Sequence, residues 1–262
     1  MRSTSIKDIL YRIRRNILKK IVPEFIWPEY IIMDGANIPV KGKPFSFGIK
    51  RILSKGIYED SERSLIREII KKGDQVIEFG GSIGIMAAIM NEIVSREGII
   101  ISVEASKALT DYSRSWLGSK GNIQILTGIG YPVWEAPIKY HNIQFIDDGN
   151  SLGGRVDFNV ENDKLNEGFE IYDLKRITST YPIRPDHLLI DIEGSEIIFL
   201  EEGIEIPDSV QNMVIEMHPN LYGQETENEI IKKLAYLGFF VHKEIRHVFL
   251  LSRNEKVIST DV

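Results

Sequence analysis

The chain has 262 residues, 43% hydrophobic and 27% charged, a length and balance suited to one sizeable α/β core with an appendage and not to a disordered or fibrous chain. Its 32 basic and 38 acidic side chains leave a net charge of -6, which disfavours nucleic acid as a partner. Cysteine is absent, excluding disulfides, thiolate metal sites and a cysteine nucleophile, and no run approaches the roughly 18 apolar residues of a membrane span.

Residues 1–22 carry seven basic side chains against the single acid Asp8, with Ile6, Ile9, Leu10, Ile13, Ile17 and Ile21 at helical spacing. The pattern predicts a basic amphipathic helix ending before Pro23. It would either pack on its own domain or dock on an anionic membrane surface or a partner subunit, and self-association of the chain stays open. Arg12, Arg14 and Arg15 interrupt what a secretory signal would need as an unbroken apolar stretch, so the protein is expected to be soluble and cytoplasmic. Residues 23–58 mix Pro and Gly with short β-like runs such as Tyr30-Ile31-Ile32-Met33. We therefore expect an extension over 1–60, with a helix and some β structure, before a catalytic domain over 61–262.

A helix over 61–72 leads into the core and stops at Gly73-Asp74. Strands are predicted at 75–79, 99–103 and 123–126, alternating with helices at 83–96 and 107–117. Further strands follow at 187–190 and 213–217, then a helix at 227–237 and a terminal strand pair at 239–243 and 248–252. Such alternation makes βαβ units and a mostly parallel sheet covered on both faces. The stretch over about 128–168 breaks the rhythm and is rich in Gly, Asn and aromatics, as an insertion over a substrate site would be.

Ligands of open parallel sheets bind beyond the carboxyl ends of the strands. The first core strand runs into Glu78-Phe79-Gly80-Gly81-Ser82-Ile83-Gly84. A dinucleotide site needs G-x-G-x-x-G, with a pyrophosphate on the helix N-terminus. Here the spacing is acid-x-G-x-x-x-G, and the acid would repel a pyrophosphate while suiting a cation. S-adenosyl-L-methionine carries a sulfonium and an ammonium group and no phosphate. Twenty residues past Gly84, Glu104 closes the second strand, where a carboxylate can accept both ribose hydroxyl protons. The expected cofactor residues are Glu78, Gly80, Gly81, Ser82, Gly84, Glu104, Ala105, Ser106 and Asp191.

The chemical end falls to the acids and imidazole ending the next two core strands: Asp191 and Glu193, then Glu216 and His218. Transfer of the cofactor's methyl group to a protonated acceptor must align the acceptor and remove its proton. Asp191, Glu193 and His218 are the expected catalytic residues, with His218 as a candidate base. Alternatively, Asp191, Glu216 and His218 would hold a divalent cation such as Mg that acidifies the acceptor hydroxyl. Asp191 also reads as an N-cap of the following helix. In the insertion, Tyr131, Trp134, Tyr140, Phe145 and Phe158, with Asp147, Asp148, Asn150, Ser151, Arg155 and His141 nearby, suit either a sugar ring or an aromatic mini-core.

From Ile57 to His218 the chain resembles the FkbM methyltransferases. The resemblance rests on the segment Gly73 to Gly84, on Val103-Glu104-Ala105-Ser106, on Ile190-Asp191-Ile192-Glu193-Gly194-Ser195-Glu196 and on Ile215-Glu216-Met217-His218. Glu78, Gly81, Ser82 and Ala105 stand where that family usually has Asp, Ala, Asn and Pro. The resemblance implies an α/β, Rossmann-like class I methyltransferase fold, a mostly parallel seven-stranded sheet with an antiparallel C-terminal strand. It also implies O-methyl transfer to a small-molecule or nucleotide-sugar acceptor, such as a precursor of a surface polysaccharide. An NAD-dependent oxidoreductase and a non-catalytic protein that kept the fold are the alternatives.

Overall fold

A computed structural model describes residues 27–41, 47–141, 144–147, 154–157 and 169–253, with backbone alone at 47, 141, 144–147 and 154–157. The basic segment 1–22 lies outside the described residues, as do Asp148, Asn150, Ser151, Phe158 and the side chains of His141, Phe145, Asp147 and Arg155.

The extension opens with a hairpin of β1 (Tyr30–Met33) and β2 (Ala36–Pro39). Its two-residue turn is Asp34-Gly35, both at positive φ, the turn chemistry that matches strand twist. Helices α1 (Phe47–Ser54) and α2 (Asp60–Ile69) follow, and the Arg63 guanidinium of α2 donates back to Asp34 of the turn. The hairpin is not a separate unit, because Met33, Ala36 and Ile38 are buried in the same core as one face of the main sheet.

The core then alternates as expected through β3 (Gln75–Phe79), α3 (Ile85–Val94), β4 (Ile99–Glu104), α4 (Lys107–Leu117) and β5 (Ile123–Thr127). Short β6 (Ile129–Tyr131) pairs in parallel with β9 (Ile171–Asp173), while β7 (Gln144–Asp147) and β8 (Gly154–Asp157) form an antiparallel pair between them in sequence. Asp173 caps α5 (Leu174–Thr180) by accepting from Arg176 N–H at 2.8 Å. Then come β10 (His187–Ile190), a 3-10 turn over Ser195–Leu200, β11 (Asn212–Glu216), α6 (Pro219–Tyr222), α7 (Gln224–Tyr236), β12 (Phe240–Ile245) and β13 (Val248–Ser252).

Among the described residues the main sheet has seven strands in the order β12-β13-β11-β10-β3-β4-β5. All run parallel except β13, which is antiparallel to both neighbours. This is the Rossmann-like class I methyltransferase arrangement. Strand residues alternate between two cores: Val76, Ile100, Leu189 and Val214 pack under α2, α3 and α4, while Ile77, Ile101, Leu188 and Met213 pack under α5, the 3-10 turn and α7. Asp191 does not cap a helix as one reading of its position suggested, since the element after it is the 3-10 turn with Gly194 at its N-cap.

Candidate functional site

From β3 the chain winds outward through β4 and β5, and from β10 it winds the other way through β11. The switch point therefore lies between β3 and β10, where diverging loops leave a crevice at the strand ends. A cavity of about 330 Å³ opens there, walled by Gly80, Ser82, Glu104, Ala105, Asp191, Glu193, Ser195 and Glu216 among others.

Gly80 makes the crevice possible. It sits at φ +91°, and a Cβ on it would lie 1.7 Å from the carbonyl oxygen of Asp191. The ends of β3 and β10 can approach this closely only because position 80 has no side chain. Gly81 is as tightly placed, with a Cβ reaching within 1.9 Å of the Ser102 hydroxyl oxygen.

Glu104 stands at the end of β4 with both carboxylate oxygens engaged. One accepts from Ser82 N–H at 2.9 Å and the other from Ser106 N–H at 2.7 Å. Two backbone donors fix the carboxylate on the cavity wall. The Ser106 hydroxyl turns the other way and caps α4. The loop that presents Ser82 is clamped from α4 as well, by the Ser113 hydroxyl on Ser82 O at 3.1 Å and Trp116 Nε1–H on Ile83 O at 3.2 Å. Beside Glu104 the wall turns apolar through Val103, Ala105 and the Gly128-Ile129-Gly130 backbone, a slot suited to a flat ring.

Not all the expected cofactor residues reach the cavity. Gly80, Ser82, Glu104, Ala105 and Asp191 wall it, whereas Glu78, Gly81, Gly84 and Ser106 stand behind them and shape the loop. Glu78 was expected to face a cation. Its side chain is instead 2% exposed beneath the glycine loop and accepts from the Ser102 hydroxyl. Burial pushes its carboxyl up to about 7, with the Ser102 bond opposing and Glu104 adding to the rise.

The other end of the cavity is acidic. Asp191 and Glu193 wall it, and the His218 ring lies against both, its Nε2 at 3.6 Å from Asp191 Oδ1 and 3.5 Å from Glu193 Oε2. The other ring nitrogen, Nδ1, is 3.1 Å from Oε1 of Glu196, which is wholly buried and accepts from it. Burial opposes a charged imidazole, but the hydrogen bond and charge of Glu196, with Glu193 and Glu216 near, outweigh it and hold His218 above its usual range. Burial, followed by the charges of Glu216 and Glu59, holds the Asp191 carboxyl well above the usual carboxylate range. The structure thus groups Asp191, Glu193 and His218, with one potential ligand atom each within 4.8 Å of the others. Glu216 also walls the cavity but is not part of that group, and its charge adds to the rise that burial imposes on Glu62 of α2.

The sequence reading missed the contribution of the extension. Ile52 of α1 and Ile57, Tyr58 and Glu59 of the α1–α2 connection close the cavity. Burial lifts Glu59 to about 8 and Glu62 to about 7. Glu59, Ser82 and Glu193 are all non-glycine residues at positive φ, so the backbone is strained at three points around one cavity. The only trace in the sequence is the acidic pair Glu59-Asp60 at the start of α2. Of the two expectations for Tyr131 and Tyr140, a sugar platform or an aromatic mini-core, the structure has the second: both are buried and packed edge to face at 5.3 Å between centroids.

The protein-L-isoaspartate(D-aspartate) O-methyltransferase family matches the chain over residues 36–147. That segment is the cofactor half of the sheet. Among individual proteins, Protein-L-isoaspartate O-methyltransferase 2 of Archaeoglobus fulgidus is 33% identical over 76 residues, 28% of this chain and 35% of that protein. The chain thus aligns with about a third of that relative's length. Among solved structures, fibrillarin of Aeropyrum pernix with natively bound S-adenosyl-L-methionine is 17% identical with a TM-score of 0.43, covering 73% of this chain and 72% of its own. A SAM-dependent O-methyltransferase of Thermotoga maritima is 14% identical with a TM-score of 0.41, covering 76% and 68%.

These matches correct the FkbM resemblance. The family that fits residues 36–147 is the isoaspartyl methyltransferase one, and the A. fulgidus relative carries the same name. The physical reason is visible at the site. The strand-end acid, the glycine turn and Glu104 answer geometric demands of the cofactor crevice, so they recur wherever that crevice does and discriminate poorly between families.

Proposed function

We propose that this protein is an S-adenosyl-L-methionine-dependent methyltransferase acting on an oxygen of its acceptor. The observation that carries the reading is Glu104, held by Ser82 and Ser106 N–H on the wall of the switch-point cavity, with the acidic group around Asp191 at the other end. The carboxylate would take the ribose hydroxyls. The slot of Val103, Ala105 and Gly128-Ile129-Gly130 would take the adenine, and the acidic end would face the sulfonium and ammonium charges. The family match over the cofactor half supports the same cofactor. A pyrophosphate would have to enter this acidic crevice, which counts against the NAD-dependent alternative.

On the acceptor side, Asp191, Glu193 and His218 would surround the attacking oxygen and receive its proton. Among the described residues the carboxyl groups of Glu59, Asp191, Glu193 and Glu216 wall the cavity, and Glu62 lies close enough to interact with Glu59 and Glu216. A neutral hydroxyl enters such a field more readily than a carboxylate, so we favour an alcohol acceptor. The nucleotide-sugar or glycan reading retains only that hydroxyl chemistry, because Tyr131 and Tyr140 are committed to the core. A protein carboxyl is the second reading, favoured by the isoaspartyl match, although that match ends before Asp191 and His218. The division near residue 60 and an acceptor-binding role for residues 128–168 belong to the same proposal.

Calorimetry with S-adenosylhomocysteine and with NAD tests the cofactor. Saturable binding of the former alone is expected, and binding of NAD alone would overturn the reading. Incubation with S-adenosyl-L-methionine and either an isoaspartyl peptide or a nucleotide-sugar panel, read as a gain of one methyl group by mass spectrometry, separates the acceptors.

A further inference from the structure

The His218 ring is held in a way that a simple ion pair does not explain. Its Nε2 stands 3.5 and 3.6 Å from Glu193 Oε2 and Asp191 Oδ1, too far for good hydrogen bonds to either. Those spacings are close to the ligand-to-ligand edge of a tetrahedral site, about 3.4 Å for bonds of roughly 2.1 Å. The far side of the ring is fixed by Glu196, which is wholly buried, so that Nδ1–H is spent on it and Nε2 is the atom left facing the carboxylates, where a cation would take the place of its proton. A carboxylate on the distal nitrogen is the arrangement that orients metal-bound histidines and raises their basicity. Independently of this cluster, Ser195 walls the same cavity, is 2% exposed, and has a hydroxyl with no hydrogen-bond partner among the described residues. A buried hydroxyl left unmatched beside a polar cavity points to a ligand or ligand-bound water that completes it.

We infer that Asp191, Glu193 and His218 form a binding site for one divalent cation of the Mn–Zn kind, with Glu196 as the positioning residue that sets the histidine. The ligand set differs from the one the sequence suggested, with Glu193 in the place of Glu216. One imidazole and two carboxylates suit these ions. The remaining positions face the cavity, where the acceptor hydroxyl would bind and lose its proton more easily. That catalytic role rests on the methyltransferase reading; cation binding does not.

Titration of the full-length protein with Mn2+, followed by loss of the free-ion electron paramagnetic resonance signal, tests the site. One ion per chain is expected. Glu193→Gln, at a side chain 41% exposed, should weaken binding by at least about tenfold, and Glu196→Gln by about 10- to 100-fold with an unchanged melting curve. No saturable binding, or equal affinity in wild type, Glu193→Gln and His218→Ala, would overturn the site. S-adenosylhomocysteine binding is measured separately in excess chelator. Its loss would count against the cofactor reading alone, and Mn2+ binding would still decide the cation site.

Discussion

Glu104 and Glu78 stand on neighbouring strands of the sheet, yet their environments assign them opposite work. Glu104 is tied by two backbone N–H donors on the wall of the cavity. Removing it takes away a charged acceptor while leaving the strand unaltered. Glu104→Ala should therefore weaken S-adenosylhomocysteine binding by roughly 1–3 kcal/mol, measured by calorimetry, with little change in melting temperature. Glu78 is buried, with its carboxyl lifted to about 7. A carboxyl whose folded pKa is raised binds its proton more tightly in the folded state, so its ionisation costs stability as pH rises from the ordinary value near 4.5 to about 7. Glu78→Gln keeps an acceptor for Ser102 and removes the titration. Urea unfolding should show the variant and wild type alike near pH 4.5 and the variant more stable by on the order of 1–3 kcal/mol at pH 8. Parallel stability curves across that range would refute the assignment.

Among the elements, the junction of β3 and β10 fixes the crevice, and Gly80 is its weakest point. An added methyl group would lie 1.7 Å from the Asp191 carbonyl oxygen, a backbone atom that cannot swing aside, at a φ of +91° that side chains avoid. Gly80→Ala should cost at least about 2 kcal/mol in urea unfolding and abolish cofactor binding, because the two strand ends must part. A stable, binding-competent variant would mean that the ends are not held this closely. The strands themselves were legible in the sequence, since β3, β4, β10 and β11 are runs rich in Val, Ile and Leu. The start of α3 was less so: it begins at Ile85 instead of 83, because Ser82 and Gly84 both adopt positive φ and delay the first helical turn. The part played by Tyr58 and Glu59 left no trace beyond the acidic pair Glu59-Asp60. It follows from tertiary docking, in which Arg63 of α2 grips Asp34 in a turn 29 residues earlier, and no local periodicity carries that information.

At the scale of the whole molecule, the extension, the strand ends and the acidic loops enclose one crevice whose two ends differ in charge. The acids there are not all ionised at neutral pH. Burial raises Glu59 to about 8 and Glu62 to about 7, and holds Asp191 well above its usual range, each reinforced by its acidic neighbours. A cation in the crevice favours the ionised form of every group it faces and lowers these pKa values, so protons must leave as it binds. S-adenosyl-L-methionine brings a sulfonium charge that S-adenosylhomocysteine lacks, while the rest of the two molecules is alike. Calorimetry near pH 7 in buffers of different ionisation enthalpy should therefore show proton release with the first ligand and less with the second. The sign follows for affinity: binding of S-adenosyl-L-methionine should strengthen between about pH 6 and 8, by up to about tenfold per pH unit for each proton released, and level off above the free-state pKa values. Equal proton release by the two ligands would place the sulfonium away from Asp191, Glu59 and Glu62, and with it the reacting methyl group.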